Sequence, residues 1–276
     1  MTTTLEPFDS LAPCGSGIWT HGSVTVARVD GPVGDVTIGR DGDNLHVSHT
    51  LTPGRLSERL VEQVTAKVAA VGSGRDDFEA VMVGLVRSTV DGPVEAWATY
   101  YRNSIDELIG GTAAFAPIHH KAESLIVGDS VLDLGSCFGF FPLRLALRGV
   151  TVTATDIHEG TVRLLDAMRA PLGVELTTLV CDAGEVPVVD GFADTVTALH
   201  LLEHVDEDLG DRIVREALRV ARRRVVVAVP FENEAQACHG HVRTFDLAAL
   251  EALAERSGVS FEVFEHHGGW AVLDAR

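Results

Sequence analysis

The stretch "VLDLGSCFGFFPLRLALRG" (131–149) decides how the chain is read. An apolar run carrying one acid, Asp133, breaks into a turn with glycines at 135 and 139, then opens into a helical pattern. A strand that turns through glycines into a helix brings backbone amides to a ligand, as nucleotide-binding folds do. The dinucleotide fingerprint G-x-G-x-x-G, counted from Gly135, needs glycine at 137 and 140. Cys137 and Phe140 stand there instead, so a pyrophosphate fits this turn poorly.

Three acids sharpen the reading. Asp133 closes the first expected strand, Asp156 the second and Asp182 the third. An acid at Asp156, 21 residues after Gly135 (156 minus 135), can accept hydrogen bonds from both ribose hydroxyls. One at Asp182 can accept from an adenine amine. Such a set suits an adenosine bearing a cationic group.

Working outward, apolar runs at 130–135, 150–156, 174–182, 192–200 and 223–230 alternate with helical patterns at 139–149, 159–170 and 206–221. That alternation predicts an α/β fold with a parallel sheet. After "FENEAQACHGHVRTFD" come a helix, "LAALEALAERSG", and two strands, "SFEVFEH" and "GWAVLDA", spaced to pair antiparallel. Residues 23–51 read as a small β meander and 55–71, 75–90, 94–110 and 118–127 as helices. The expected division is an N-terminal α+β accessory region over 1–125 and a cofactor-binding domain over 126–276.

Composition narrows the partners. The chain has 276 residues, 46% of them hydrophobic, yet no run approaches the ~18 apolar residues of a membrane span. Its start, "MTTTLEPFDSLAPCGSG", lacks the basic and apolar regions of a secretory signal. Four scattered cysteines (14, 137, 181, 238) form no CxxC pair, which suits free thiols in the cytoplasm. The net charge of −18 argues against nucleic acid and anionic membranes, since phosphate tracking needs clustered Lys and Arg. Nothing in the sequence points to an oligomeric state.

"VLDLGSCFG", "TATDIH" and "VCDAGEVP" together resemble the class I S-adenosylmethionine-dependent methyltransferases, with Cys137 in place of that family's middle glycine. The resemblance covers residues 130–276. It implies a Rossmann-like seven-stranded sheet with one antiparallel strand, S-adenosylmethionine as cofactor, and methyl transfer. It further implies cofactor contacts at Asp133, Gly135, Ser136, Cys137, Gly139, Asp156, Ile157, Asp182, Ala183 and His200.

"HLLEHVDED" (200–208) offers a second constellation. H-x-x-E-H is also an inverted zinc-protease signature, but that site needs a helix, and here the motif ends an apolar strand. The segment is similar to the E-x-x-E-H of the ubiquinone-biosynthesis O-methyltransferases, which implies His200, Glu203 and His204 as ligands of a divalent metal ion. Imidazole with carboxylate suits Zn, Mn or Fe better than Mg. Without a metal, a histidine is a general base for the acceptor hydroxyl, His204 first and His241 second, with His200 also a candidate. Otherwise Glu203 and His204 form a hydrogen-bonded pair that fixes the loop.

His239, His241 and Arg243 in "CHGHVRTFD" are candidates for binding a polyhydroxylated or anionic acceptor. Trp97, Tyr100 and Tyr101 read as core or as a lid, and His119 and His120 as a helix surface. "DLGSCFGFFPLRLALRG", "HLLEHVD", "GHVRTFD" and "HHGGWAVL" resemble the actinobacterial glycan O-methyltransferases, including those acting on the oligosaccharide of mycofactocin. O-methylation of a small-molecule or oligosaccharide acceptor is therefore the expected activity. An NAD(P)-dependent oxidoreductase and a non-catalytic S-adenosylmethionine-binding subunit are the rival readings.

Overall fold

A computed structural model describes residues 9–12, 14–32, 35–72, 74–235 and 240–275. The described chain forms two compact units. One runs to Ala114 and takes in Ala167–Gly173; the other comprises Phe115–Asp166 and the residues from Val174 onward.

The first unit holds a four-stranded sheet of β1 (Ile18–His21), β2 (Val24–Arg28), β3 (Val36–Asp41) and β4 (Asn44–His49) in the order β1-β2-β4-β3. It is not the simple meander expected, because β2 and β4 pair in parallel and only the outer pairs are antiparallel. Helices α1 (Arg59–Ala70), α2 (Arg75–Thr89) and α3 (Pro93–Ile109) follow. A Cβ at Gly84 would collide with Val26 and Trp19, so α2 approaches the sheet at a residue without a side chain. Trp97, Tyr100 and Tyr101 are buried on α3. Trp97 Nε1 donates to the Ser10 carbonyl at 2.9 Å and the Tyr100 hydroxyl to Glu58 Oε1 at 2.6 Å. These contacts make Trp97 and Tyr100 part of this unit's core.

In the second unit α4 (Ala116–Leu125) precedes β5 (Ser130–Leu134), α5 (Phe140–Ala146), β6 (Thr151–Asp156), α6 (Glu159–Leu172) and β7 (Thr177–Val180). Then come β8 (Ala193–Leu199), α7 (Glu207–Val220), β9 (Ala221–Val229), α8 (Leu247–Arg256), β10 (Phe261–Glu265) and β11 (Gly269–Asp274). Seven strands form one sheet in the order β10-β11-β9-β8-β5-β6-β7. β11 is antiparallel to both neighbours, and the other strand pairs are parallel. This is the expected Rossmann-like sheet with one reversed strand.

Local chemistry explains the elements. Val131, Leu132 and Leu134 of β5 are all buried, as a central parallel strand covered on both faces requires. α7 starts at Asp206, whose carboxylate accepts from the Leu209 amide at 2.8 Å. α8 repeats the device at Asp246 with the Ala249 amide at 2.7 Å. Val196, Ile213, Val227, Leu250 and Leu253 lock these helices onto the sheet. Among the described residues, no helix is long and apolar enough to cross a membrane.

Candidate active site

Open α/β sheets bind ligands outside the carboxyl ends of their strands. At the end of β5 the chain turns through Gly135 (φ 67°), Cys137 (φ 48°) and Gly139 (φ 75°). A Cβ at Gly135 would lie 2.7 Å from Leu201, and one at Gly139 2.5 Å from Leu165, so both glycines are fixed by dihedral and by space. Ser136 stitches the turn to β6: its amide donates to the Thr155 carbonyl at 2.8 Å, and its hydroxyl receives the Thr155 amide at 3.1 Å.

Asp156, at the end of β6, accepts the Cys137 amide at 2.9 Å through Oδ2 and the His158 amide at 2.9 Å through Oδ1. Each oxygen keeps lone-pair capacity for a further donor. Ile157 is exposed beside it. Asp182 accepts the Gly184 amide at 2.7 Å and stays half-exposed, with Ala183 next to it partly buried. Asp133 differs from these two. It is 4% exposed, receives the Thr197 hydroxyl, and is pushed up to about 6 by burial, against that hydrogen bond. Two carboxylates therefore face the ligand edge, while the third braces β5 against β8.

β8 ends at Leu199, and the next residue, His200, is a non-glycine residue in the left-handed region (φ 53°) whose amide still donates to the Ala228 carbonyl at 2.8 Å. Leu202–His204 then form a single 3₁₀ turn. The H-x-x-E-H residues are thus not on the long helix that a zinc protease needs. Glu203 is 1% exposed, and neither of its carboxylate oxygens has a hydrogen-bond partner among the described residues. Oε1 lies 3.2 Å from His200 Nδ1, an ion-pair distance without hydrogen-bond alignment.

The segment after β9 closes this cluster from the other side. The Glu203 carbonyl accepts the Val242 amide at 2.9 Å, and Arg243 Nε donates to the Leu202 carbonyl at 2.9 Å. Arg243 lies over the Phe245 ring at 4.4 Å and packs its guanidinium where a Cβ at Gly210 of α7 would stand. Arg243 is therefore an anchor rather than an open acceptor contact. It holds His241 edge-to-face with His204, ring centres 4.9 Å apart, while His241 Nδ1 pairs with Glu232 at 2.8 Å and His204 Nδ1 meets the Gly240 carbonyl at 3.3 Å. His239 lies outside the described residues.

The ligand atoms that converge within 4.8 Å of one another belong to Glu203, His204 and His241. His200, expected in that set, is instead turned toward Phe115, ring centres 5.0 Å apart. His119 also departs from the sequence reading. Only His120 is on the helix surface; His119 is 8% exposed, between Phe115 and Phe141. Burial, aided by the charges of Arg144, His200 and His120, pushes His119 down to about 3, so its imidazole is neutral. Sequence reasoning missed His119, Phe115 and Glu232, because only the packing of α4 and of the segment after β9 gives them a place.

Residues 132–229 match the family model of the methyltransferase domain. Residues 132–229 thus form a methyltransferase domain. The family is S-adenosylmethionine-dependent. Over 86 residues (30% of this chain, 36% of the relative) it is 36% identical to the ubiquinone biosynthesis O-methyltransferase of Azotobacter vinelandii. Its identity to the Pseudomonas putida enzyme of the same name is 31% over 99 residues, 35% of this chain and 41% of that one. The chain thus spans roughly two-fifths or less of these curated relatives. Among solved structures, the PH0226 protein from Pyrococcus horikoshii superposes with a TM-score of 0.50 at 16% identity, covering 59% of this chain and 89% of that one. That likeness concerns the fold.

Proposed function

We propose that this chain is an S-adenosylmethionine-dependent O-methyltransferase of the cytoplasm, acting on a hydroxyl of a polyhydroxylated small molecule or oligosaccharide. The sugar chain of mycofactocin belongs to that class of acceptor. One observation carries the reading: a buried carboxylate, Glu203, backs the His200 imidazole at the strand end next to the glycine turn. The residues present suit the cofactor, with no side chains at Gly135 and Gly139 and with carboxylates at Asp156 and Asp182 for hydroxyl and amine donors.

The cofactor supplies an electrophilic methyl group on a sulfonium. The chain's own task is alignment and proton removal. Asp156 and Asp182 would fix the adenosine. Glu203, whose Oε1 lies 3.2 Å from His200 Nδ1, would leave Nε2 of that ring to take the acceptor's hydroxyl proton. His200 thereby replaces His204 as the preferred base, because its carboxylate partner is buried and otherwise unsatisfied.

A second reading rests on the convergence of Glu203, His204 and His241. These three would hold a divalent ion such as Zn, Mn or Fe, which would lower the pKa of a bound acceptor hydroxyl. Calorimetric titration with S-adenosylhomocysteine and with NAD, on wild type and Asp156→Ala, tests the primary proposal. Micromolar binding of S-adenosylhomocysteine alone, lost in the variant, is expected; binding of NAD alone would overturn it. Elemental analysis of the purified protein, with and without His241→Ala, tests the metal reading.

A further inference from the structure

Behind one exposed phenyl ring the second unit keeps two imidazole nitrogens unsatisfied. Phe115, at the start of α4, is 44% exposed. Its ring stands edge-to-face with those of His200 and His119, at 5.0 and 6.4 Å between centres. His200 Nε2 and His119 Nδ1 are both buried without a hydrogen-bond partner among the described residues. Buried polar atoms are ordinarily paired, and a phenyl edge pairs with neither. Both nitrogens face a loss that a hydroxyl would remove. The ring has solvent on its outer side, so a change of rotamer clears the space without disturbing the core.

We propose that Phe115 occupies the place of the acceptor's ring, and that the acceptor presents there a six-membered ring with two hydroxyls, one to His200 Nε2 and one to His119 Nδ1. The assignment of the methylated hydroxyl, the one at His200, rests on the O-methyltransferase reading; the two-point binding does not. His119, outside every motif, becomes the residue that sets which hydroxyl faces the base. Catechols and pyranosides share this chemistry.

Diethylpyrocarbonate acylates accessible neutral imidazoles, and peptide mass spectrometry reads each histidine of the full chain separately. In the wild type, His200 and His119 should react several-fold more slowly than the exposed His266 and His267. Phe115→Ala should raise both rates together, with Phe115→Leu intermediate. In Phe115→Ala, catechol or methyl β-glucopyranoside should protect both histidines again. Phenol and cyclohexanol should protect about fivefold less, the worth of one hydrogen bond. Protection by only one of the two diols names the aromatic or the sugar source. Unchanged rates in Phe115→Ala, no protection by either diol, or equal protection by the mono-ols would each overturn the proposal. No methyl transfer enters this readout, so its failure is separate from a failure to bind S-adenosylhomocysteine.

Discussion

Two stretches of one sheet edge are built on opposite terms. From β5 to β7 the polar groups are paired: Ser136 with Thr155, Asp156 with the Cys137 and His158 amides, Asp182 with Gly184. From β8 to β9 some are not: His200 Nε2 and both Glu203 oxygens are buried without hydrogen-bond partners among the described residues. A paired edge costs little to keep and is ready for its ligand; an unpaired one carries desolvation that only its ligand relieves. On the proposed reading, the cofactor side is assembled in advance, and the acceptor side is held under tension until it is occupied.

The sharpest way to break this contrast is Glu203→Gln. Losing the carboxylate behind the base should lower the methyl-transfer rate by about 10²–10⁴, the usual worth of general-base catalysis. The unfolding midpoint should hold or rise, because a buried carboxylate without hydrogen-bond partners is gone. A parallel fall in both would show Glu203 to be an ordinary structural residue.

Asp133 tests the paired side through pH. Its carboxyl is raised from 3.8 to about 6 by burial, so the folded state holds this proton more tightly than the unfolded one. The resulting stability is fully present below pH 3.8 and is lost as pH rises toward 6. The gap corresponds to about 3 kcal/mol. Urea unfolding should show the wild type losing about that much relative to Asp133→Asn between about pH 4 and 6. Equal slopes would mean that Asp133 is not shielded from water.

A smaller effect is expected from Gly139→Ala. Left-handed backbone in an L-residue costs about 1–2 kcal/mol, and Leu165 must also give way. A loss of about 2 kcal/mol with weaker S-adenosylhomocysteine binding is expected from unfolding and titration. An unaffected variant would mean that the turn is less rigid than its pairing implies.

The paired side was legible in the sequence because its determinants are local. Gly135, Gly139 and Asp156 announce themselves by spacing along a strand–turn–helix unit, and the parallel sheet follows from alternation with helices. The unpaired side was half legible. "HLLEH" marked the place, but the partner of His204 comes from a segment 37 residues on (241 minus 204), brought back by contacts to the Glu203 and Leu202 carbonyls. His119 and His120 are adjacent in sequence, and only the seating of α4 decides which is buried. The parallel pairing of β2 with β4 was hidden for a similar reason, since hairpin signals describe neighbours and not crossings.

Gly210 and Arg243 carry a consequence for how this chain can change. The guanidinium fills the notch that any side chain at 210 would claim, and the same guanidinium tethers the strand of residues bearing His241. Neither position can drift alone: alanine at 210 evicts the arginine, while loss of the arginine leaves a gap that a larger residue at 210 could then fill. In a pairwise mutational scan the two should show sign epistasis, harmful singly and tolerated together. Across descendants of this sequence they should be inherited as one character.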